Sequence, residues 1–333
     1  MARRYINQLR PQETVDEVFL ANEKQLRPNR NGNLYLQVDL SDRSGSIGAR
    51  MWNASESLYR AFDNGDYVRV EGATQLFQGA LQLIATGLVK VEPSEVNEDD
   101  FSPLGGVEVD RLMLRLGEIL RGLGNPQLRN LGECFLLDEQ FLAKFARAPA
   151  GVKHHHAYHG GLLQHAVNVM EVALRISPCY PQIDRDLLVM GAFLHDAGKV
   201  DELTYERELA YGDEGQLIGH LVMGVRLLED KVVEAEKLSG EPISEETVLR
   251  LKHMIVSHHG EYAYGSPKLP MTTEAMALYC LDLLDAKVFA FDRQLRDDPN
   301  VDSPWTHYHP TLGRKLFKGY GGKESRADGS EPG

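Results

Sequence analysis

The hydrophobic period of this chain changes once, and that change limits what it can fold into. Between residues 13 and 92 apolar side chains recur at every second position; from residue 110 they recur at every third or fourth. The first pattern is that of strands with one buried face, the second that of helices with one buried stripe. Leu34, Leu36, Val38 and Leu40 alternate with Tyr35, Gln37 and Asp39, and Ile47, Ala49 and Met51 resume the alternation after a turn at Asp42-Arg43-Ser44-Gly45. A second pair of strands is expected over Tyr67–Gly72 and Ala80–Ile84, joined by a turn at Gln78-Gly79. About five short strands in some 80 residues suit a small closed barrel, with Ser55–Phe62 as its one helix. Residues 93–107 are acidic and punctuated by Pro and Gly, as a linker is. Helical spacing is expected near Leu112–Leu123 and over 126–147, 161–176, 186–195, 216–237, 245–257 and 273–291, and 318–333 reads as a disordered tail. The expected fold class is therefore α+β multidomain: a barrel over 13–92, then an all-α domain over 108–317.

Charge and histidine follow the same division. Of 36 basic and 49 acidic residues, eleven of each lie in 1–92, so the net −13 belongs to the remainder. All twelve histidines lie between His154 and His309. An acidic total argues against sequence-blind nucleic-acid binding by the chain as a whole, but the barrel segment is neutral. The three cysteines, Cys134, Cys179 and Cys280, form no C-x-x-C pair and read as reduced core residues. No apolar run reaches a membrane-spanning length of about 18–20 residues, so a cytoplasmic protein without a membrane partner is expected.

Several helices each deliver an imidazole or a carboxylate near an end: His165, the doublet His195-Asp196, His220, His258-His259, and Asp282 with Asp285. Any one alone reads as a helix-end histidine. As a set within apolar surroundings, they are costly to bury unless something pairs them, and a metal ion is the natural partner. Neutral imidazoles with carboxylates suit Mn, Fe, Co or Zn. Two ions about 3.5–4 Å apart would serve phosphodiester hydrolysis.

The order His…His-Asp…His…His-His…Asp, with H-D-A-G-K at its centre, resembles the HD-domain phosphohydrolase superfamily across roughly residues 150–295. That resemblance implies one metal on His165, His195, Asp196 and Asp282, with Asp196 bridging to a second on His220, His258 and His259. Asp285 is the alternative to Asp282, one turn further along the same face, and otherwise supports the site from behind. A single metal is the alternative if His220 and His258 are structural. Lys199 could act in catalysis by contacting the scissile phosphate as a point charge; Lys268 is a further phosphate candidate, and His155 and His156 are candidates to line the substrate path.

The strings NGNLYLQVDLSDRSGSIGARMW, NGDYVRVEGA and LFQGALQLIA resemble the OB-fold nucleic-acid-binding barrels. Together with HHAYHGGLLQH, FLHDAGK, MIVSHHGEYAYGSPKLP and DLLDAK, they give the chain, over nearly its whole length, a resemblance to the YhaM-type 3′-to-5′ exoribonucleases. This implies a manganese-dependent hydrolase that shortens single-stranded RNA, with single-stranded DNA as a further substrate, and a homo-oligomer. Stacking platforms would be Tyr35 and Phe77, with Trp52 assigned to the core. Arg27, Arg30, Arg43, Arg50 and Arg69 could track phosphates. Two other functions stay open: a phosphodiesterase for small or cyclic nucleotides, and a non-catalytic single-strand binder.

Overall fold

The alternating segment forms five strands, β1 (Thr14–Pro28), β2 (Leu34–Asp42), β3 (Gly45–Trp52), β4 (Tyr67–Phe77) and β5 (Ala80–Val91). They close in the order β1-β2-β3-β5-β4, with β4 returning to pair with β1. All neighbours are antiparallel except β3 and β5, which run parallel at Gly48–Gln82. Closure gives every strand a paired neighbour on both sides, the β3–β5 seam being the shortest. The inward set is the one the alternation marks: Leu36, Val38, Leu40, Ile47, Ala49, Val68, Val70 and Leu83, packed around Phe19. The single helix α1 (Glu56–Tyr59) starts where the Ser55 hydroxyl accepts the Leu58 N–H at 3.2 Å. It is shorter than Ser55–Phe62 because Phe62 leaves it to fill the barrel core.

The structure, a computed structural model, describes residues 3–77, 80–151, 158–204, 210–296, 298, 300, 303–310 and 312–320. The expected turn at Gln78-Gly79 and most of the expected tail lie outside them. Two compact units divide between Phe101 and Ser102, within the segment expected to be a linker. Its first half is anchored: the Phe101 ring lies 4.6 Å from Tyr67 and 4.4 Å below the Arg3 guanidinium. The chain from Ala290 onward groups with the barrel unit, whereas the sequence places it with the helices as far as 317. The helical period stops at Arg296, and a separate hairpin follows in which Trp305 faces Phe317 and His309 faces Arg314.

The second unit is built from α2 (Gly106–Arg121), α3 (Pro126–Leu136), α4 (Glu139–Arg147), α5 (Gly161–Ile176), α6 (Arg185–Leu194), α7 (Lys199–Glu202), α8 (Asp213–Ile218), α9 (His220–Ser239), α10 (Glu245–Ser257) and most of α11 (Thr273–Arg296). The expected helix 126–147 is two, because Asp138 turns its carboxylate onto the Phe141 N–H at 2.9 Å and caps a new helix. The expected 216–237 is likewise broken, at Gly219, whose φ of +80° a side chain would strain. Helix α6 is apolar all round, with Leu187 to Leu194 buried, and packs between α5 and α10. Phe193 meets Phe135, Phe141 and Phe145 with centroids 5.1, 6.2 and 5.6 Å away; truncating such a residue to Ala costs about 3–5 kcal/mol. Only Cys134 of the three free cysteines belongs to this core. Cys179 and Cys280 are exposed, contrary to expectation, the first in a turn after α5 and the second on the outer side of α11. Among the described residues no helix is long and apolar enough to cross a membrane.

Candidate functional site

The most buried helices carry the imidazoles at their ends. His195 caps α6 and His258 caps α10, and each turns Nδ1 back onto the carbonyl three residues earlier, Ala192 at 2.8 Å and Ile255 at 2.7 Å. A carbonyl only accepts, so in both rings Nδ1 carries a proton and Nε2 is the atom turned toward the centre as a prospective ligand. The same bonds satisfy carbonyls that a helix end leaves orphaned. His220 opens α9, and both its Nδ1 and its backbone N–H donate to Glu202 Oε1 at 2.9 Å. Its position depends on Gly198, the glycine of H-D-A-G-K. A Cβ there would lie 2.3 Å from the His220 carbonyl oxygen and 2.7 Å from the Gly224 nitrogen. His165, in the second turn of α5, places Nδ1 2.7 Å from Asp285 Oδ2, and Asn168 Nδ2 donates to Asp285 Oδ1 at 3.4 Å.

The four Nε2 atoms thus converge around Asp196, itself 3% exposed. Asp196 Oδ1 lies 3.4 Å from Nε2 of both His220 and His258. Its Oδ2 lies 2.7 Å from Lys199 Nζ, 3.5 Å from His195 Nε2 and 3.8 Å from His165 Nε2. Asp282 Oδ1 stands 3.2 Å from His165 Nε2 and 3.9 Å from His195 Nε2. Burial works against the charge on Asp196, yet Lys199 and the surrounding imidazoles hold its pKa well below the ordinary value. Burial likewise opposes ionisation of Asp282, and its bond to His165 outweighs it, so this carboxyl too is depressed. Burial lowers His195 to about 3 and, with neighbouring His258, His259 to about 4. His165 is the exception: burial opposes its charge, but bonds to Asp282 and Asp285 raise it to about 10. Without metal it is an imidazolium, its Nε2 proton facing the Asp282 carboxylate.

This centre fits divalent metal. Asp196 Oδ1, His220 Nε2 and His259 Nδ1 are buried with no hydrogen-bond partner, which is costly unless another group completes them. Donor atoms gather within 4.8 Å of one another in three overlapping sets: His165-His195-Asp282, His195-Asp196-His258 and His220-His258-His259. The structure therefore brings together the ligand candidates His165, His195, Asp196, His220, His258, His259 and Asp282, with Asp285 and Lys199 beside them. Lys199 uses two of its three donors on Asp196 Oδ2 and the Ala150 carbonyl, both at 2.7 Å. Lys268 is exposed on the loop after α10, while His155 and His156 lie outside the described residues. Glu202 and Asn168 do not emerge from the sequence. A carboxylate six residues past Asp196 becomes a signal only once His220 is known to sit opposite it.

On the barrel, Tyr35 and Trp52 are directly opposite across β2 and β3, with ring centroids 5.3 Å apart. Trp52 is 46% exposed, not in the core as expected. Parity explains it: Ile47 and Ala49 point inward, so Gly48, Arg50 and Trp52 point out. Phe77 is 45% exposed, with the Arg50 guanidinium 5.5 Å from its ring. Phe77, Arg50, Gln37 and Gln82 line one shallow concavity beside the Tyr35–Trp52 pair. Of the arginines considered for phosphate, Arg50 is on this face, whereas Arg69 is held by both oxygens of Asp16 at 2.6 Å and Arg43 lies over Tyr5.

Family models agree with both halves. The HD domain matches residues 162–287 and the OB-fold nucleic acid binding domain residues 20–91; a third model, TraI_2, matches 121–181. The 3′-5′ exoribonuclease YhaM of Bacillus subtilis (strain 168) is 35% identical over 284 residues, covering 85% of this chain and 88% of its own. The protein of the same name from Bacillus velezensis is 34% identical over 287 residues, with the same coverage. Among solved structures, the second OB-fold domain of replication protein A from Methanococcus maripaludis aligns with 27% of this chain and 95% of its own, at 21% identity and a TM-score of 0.21.

Proposed function

The chain belongs to the YhaM family of 3′-5′ exoribonucleases, and on that premise we propose that it shortens single-stranded RNA from the 3′ end by metal-dependent phosphodiester hydrolysis. The observation that carries this reading is the convergence of four Nε2 atoms on a buried carboxylate with orphaned donor and acceptor atoms. In this reading His165, His195, Asp196 and Asp282 hold one metal, and Asp196, His220, His258 and His259 hold a second; manganese is our assignment, with iron, cobalt and zinc suited to the same donors. Divalent metal held there stabilises charge on the phosphate oxygens and makes a water molecule acidic enough to ionise near neutral pH.

The chain's own residues prepare the centre. Glu202, Asp285 and the Ala192 and Ile255 carbonyls fix the ring orientations and hold a proton on each Nδ1. Lys199 holds Asp196 ionised and in place, and its third proton is our candidate donor to the substrate phosphate. Lys268, His155 and His156 are our candidates for contacts further along the strand. On the barrel, Tyr35, Trp52 and Phe77 would stack bases, each worth about 1–3 kcal/mol and indifferent to sequence, so single-stranded DNA is an acceptable ligand for the same face. We expect the enzyme to work in the cytoplasm as a homo-oligomer.

The test is a 5′-labelled oligoribonucleotide of about 30 residues incubated with manganese. The expected product is a ladder shrinking from the 3′ end, abolished in Asp196→Asn. Turnover confined to mononucleotides or cyclic nucleotides would replace this reading with that of a small-molecule phosphodiesterase.

A further inference from the structure

The hairpin that follows α11 lies beyond both matched domains, which end at residues 91 and 287. Its composition departs from the rest of the chain. Residues 303–320 contain Trp305, Tyr308, Phe317 and Tyr320 with Arg314, Lys315 and Lys318 and no acidic residue, in a protein of net charge −13. The hairpin is held by paired backbone bonds, Thr306 N–H to Leu316 O at 2.9 Å and His309 N–H to Arg314 O at 2.9 Å. Alternation then sorts the side chains. Thr306 and Leu316 face inward, 1% and 3% exposed, and the Thr306 hydroxyl accepts the Leu316 N–H at 2.8 Å.

Their neighbours Trp305 and Phe317 therefore face solvent, with ring centroids 5.0 Å apart, and Tyr320 continues the row 5.2 Å from Phe317. Leu316 already supplies the buried apolar contact, so the aromatic row is not this hairpin's core. It presents three exposed π faces in sequence beside exposed Lys315, which has the parity of Phe317, whereas Arg314 has the parity of Leu316 and its guanidinium lies 5.4 Å over the Phe291 ring. Lys318 is tied to Asp298 at 2.9 Å and braces the base of the hairpin. Rings in a row beside an exposed lysine are the surface that takes the bases and phosphates of an unpaired strand.

We infer that the 303–320 hairpin is a second binding site for single-stranded nucleic acid, with bases stacking on Trp305, Phe317 and Tyr320 and a phosphate meeting Lys315. It rests on the proposal that the protein acts on strands, and it adds a contact outside the barrel and the metal centre.

The test uses the full chain in a chelating buffer, where binding is read without hydrolysis, and a fluorescent uridine oligomer of about 30 residues followed by anisotropy. Trp305→Ala with Phe317→Ala should weaken binding by at least about tenfold, whereas Trp305→Tyr with Phe317→Tyr should restore most of it, since a stacking face is what matters. Lys315→Gln should reduce the slope of log affinity against log salt by about 0.7, one phosphate contact on a single strand. Unchanged affinity in the double alanine variant overturns the site, and a shift in oligomeric state in its place would make the row an interface between copies. Equal losses in the alanine and tyrosine pairs would also overturn it. Because no turnover is read, a chain that failed to degrade RNA would leave this result standing on its own.

Discussion

Replacing Glu202 with Gln should weaken one metal position and spare the other. Glu202 Oε1 receives two donors from His220, the ring Nδ1 and the backbone N–H, both at 2.9 Å, and the carboxylate is nearly buried. Gln keeps the size and the accepting oxygen but removes the charge. A hydrogen bond to a charged group contributes about 1.5–3 kcal/mol and a neutral one about 0.5–1.5, so two such bonds lose about 2–3 kcal/mol in holding the ring. The loss should appear as weaker metal binding by about 10–100-fold, or about 1.4–2.7 kcal/mol. Asp285→Asn is the matching perturbation on the other side, since Asp285 holds His165. Titration with manganese, following free ion by electron paramagnetic resonance, should give two steps in the parent protein. Only the step involving His220 should move in Glu202→Gln, and only the step involving His165 in Asp285→Asn. A single step, or two steps that shift together in both variants, would refute the two-position arrangement.

Four further outcomes follow from the geometry. His165, raised to about 10 when no metal is bound, must lose its Nε2 proton to become a ligand. Metal affinity should therefore rise with pH through the neutral range, with close to one proton released from His165, as calorimetry in buffers of different ionisation enthalpy would show. The same raised pKa stabilises the metal-free fold fully below about 6.5, the imidazole's ordinary value, and that contribution fades as pH climbs through about 10; thermal melts of chelated protein across that range would check it. Trp52→Ala should weaken oligonucleotide binding by about 1–3 kcal/mol while leaving hydrolysis of a short model phosphodiester unchanged, read by anisotropy and by steady-state kinetics. Gly198→Ala, whose new carbon would meet the His220 carbonyl, should cost about 1–3 kcal/mol and lower Tm by about 2–4 °C for each of them; a melt within one degree of the parent would contradict the close approach.

Much of this molecule was legible because its residues obey local rules. Barrel alternation is a two-residue rule, and Leu36, Val38, Leu40, Ile47 and Ala49 follow it into the core. The metal-centre candidates were legible because buried histidines and aspartates in apolar helices demand a partner. What failed depends on frame or on distance. Trp52 ends a strand beside apolar Met51, and composition suggested burial, but its parity with Gly48 and Arg50 turns it outward. Phe62 carries helical spacing yet is taken by the barrel. The break at Asp138 was there to be read as a capping aspartate, while that at Gly219 needed a backbone angle. Glu202 meets His220 across a separation of 18 positions, and no periodicity announces such a pairing. The exposed row Trp305–Phe317–Tyr320 was hidden for a related reason, since cross-strand partners are defined by a hairpin register the helical pattern does not predict.

The bond between His165 and Asp285 joins residues 120 positions apart, whereas the barrel is complete once Val91 has been added. At about 5–20 residues per second of synthesis, the ribosome releases the carboxylates of α11 about 6–24 seconds after His165. A growing chain thus owns a finished barrel well before it can own a finished centre. Truncation anywhere before Asp282 leaves the centre without its α11 carboxylates, so the hydrolytic machinery becomes available only after α11 has been made.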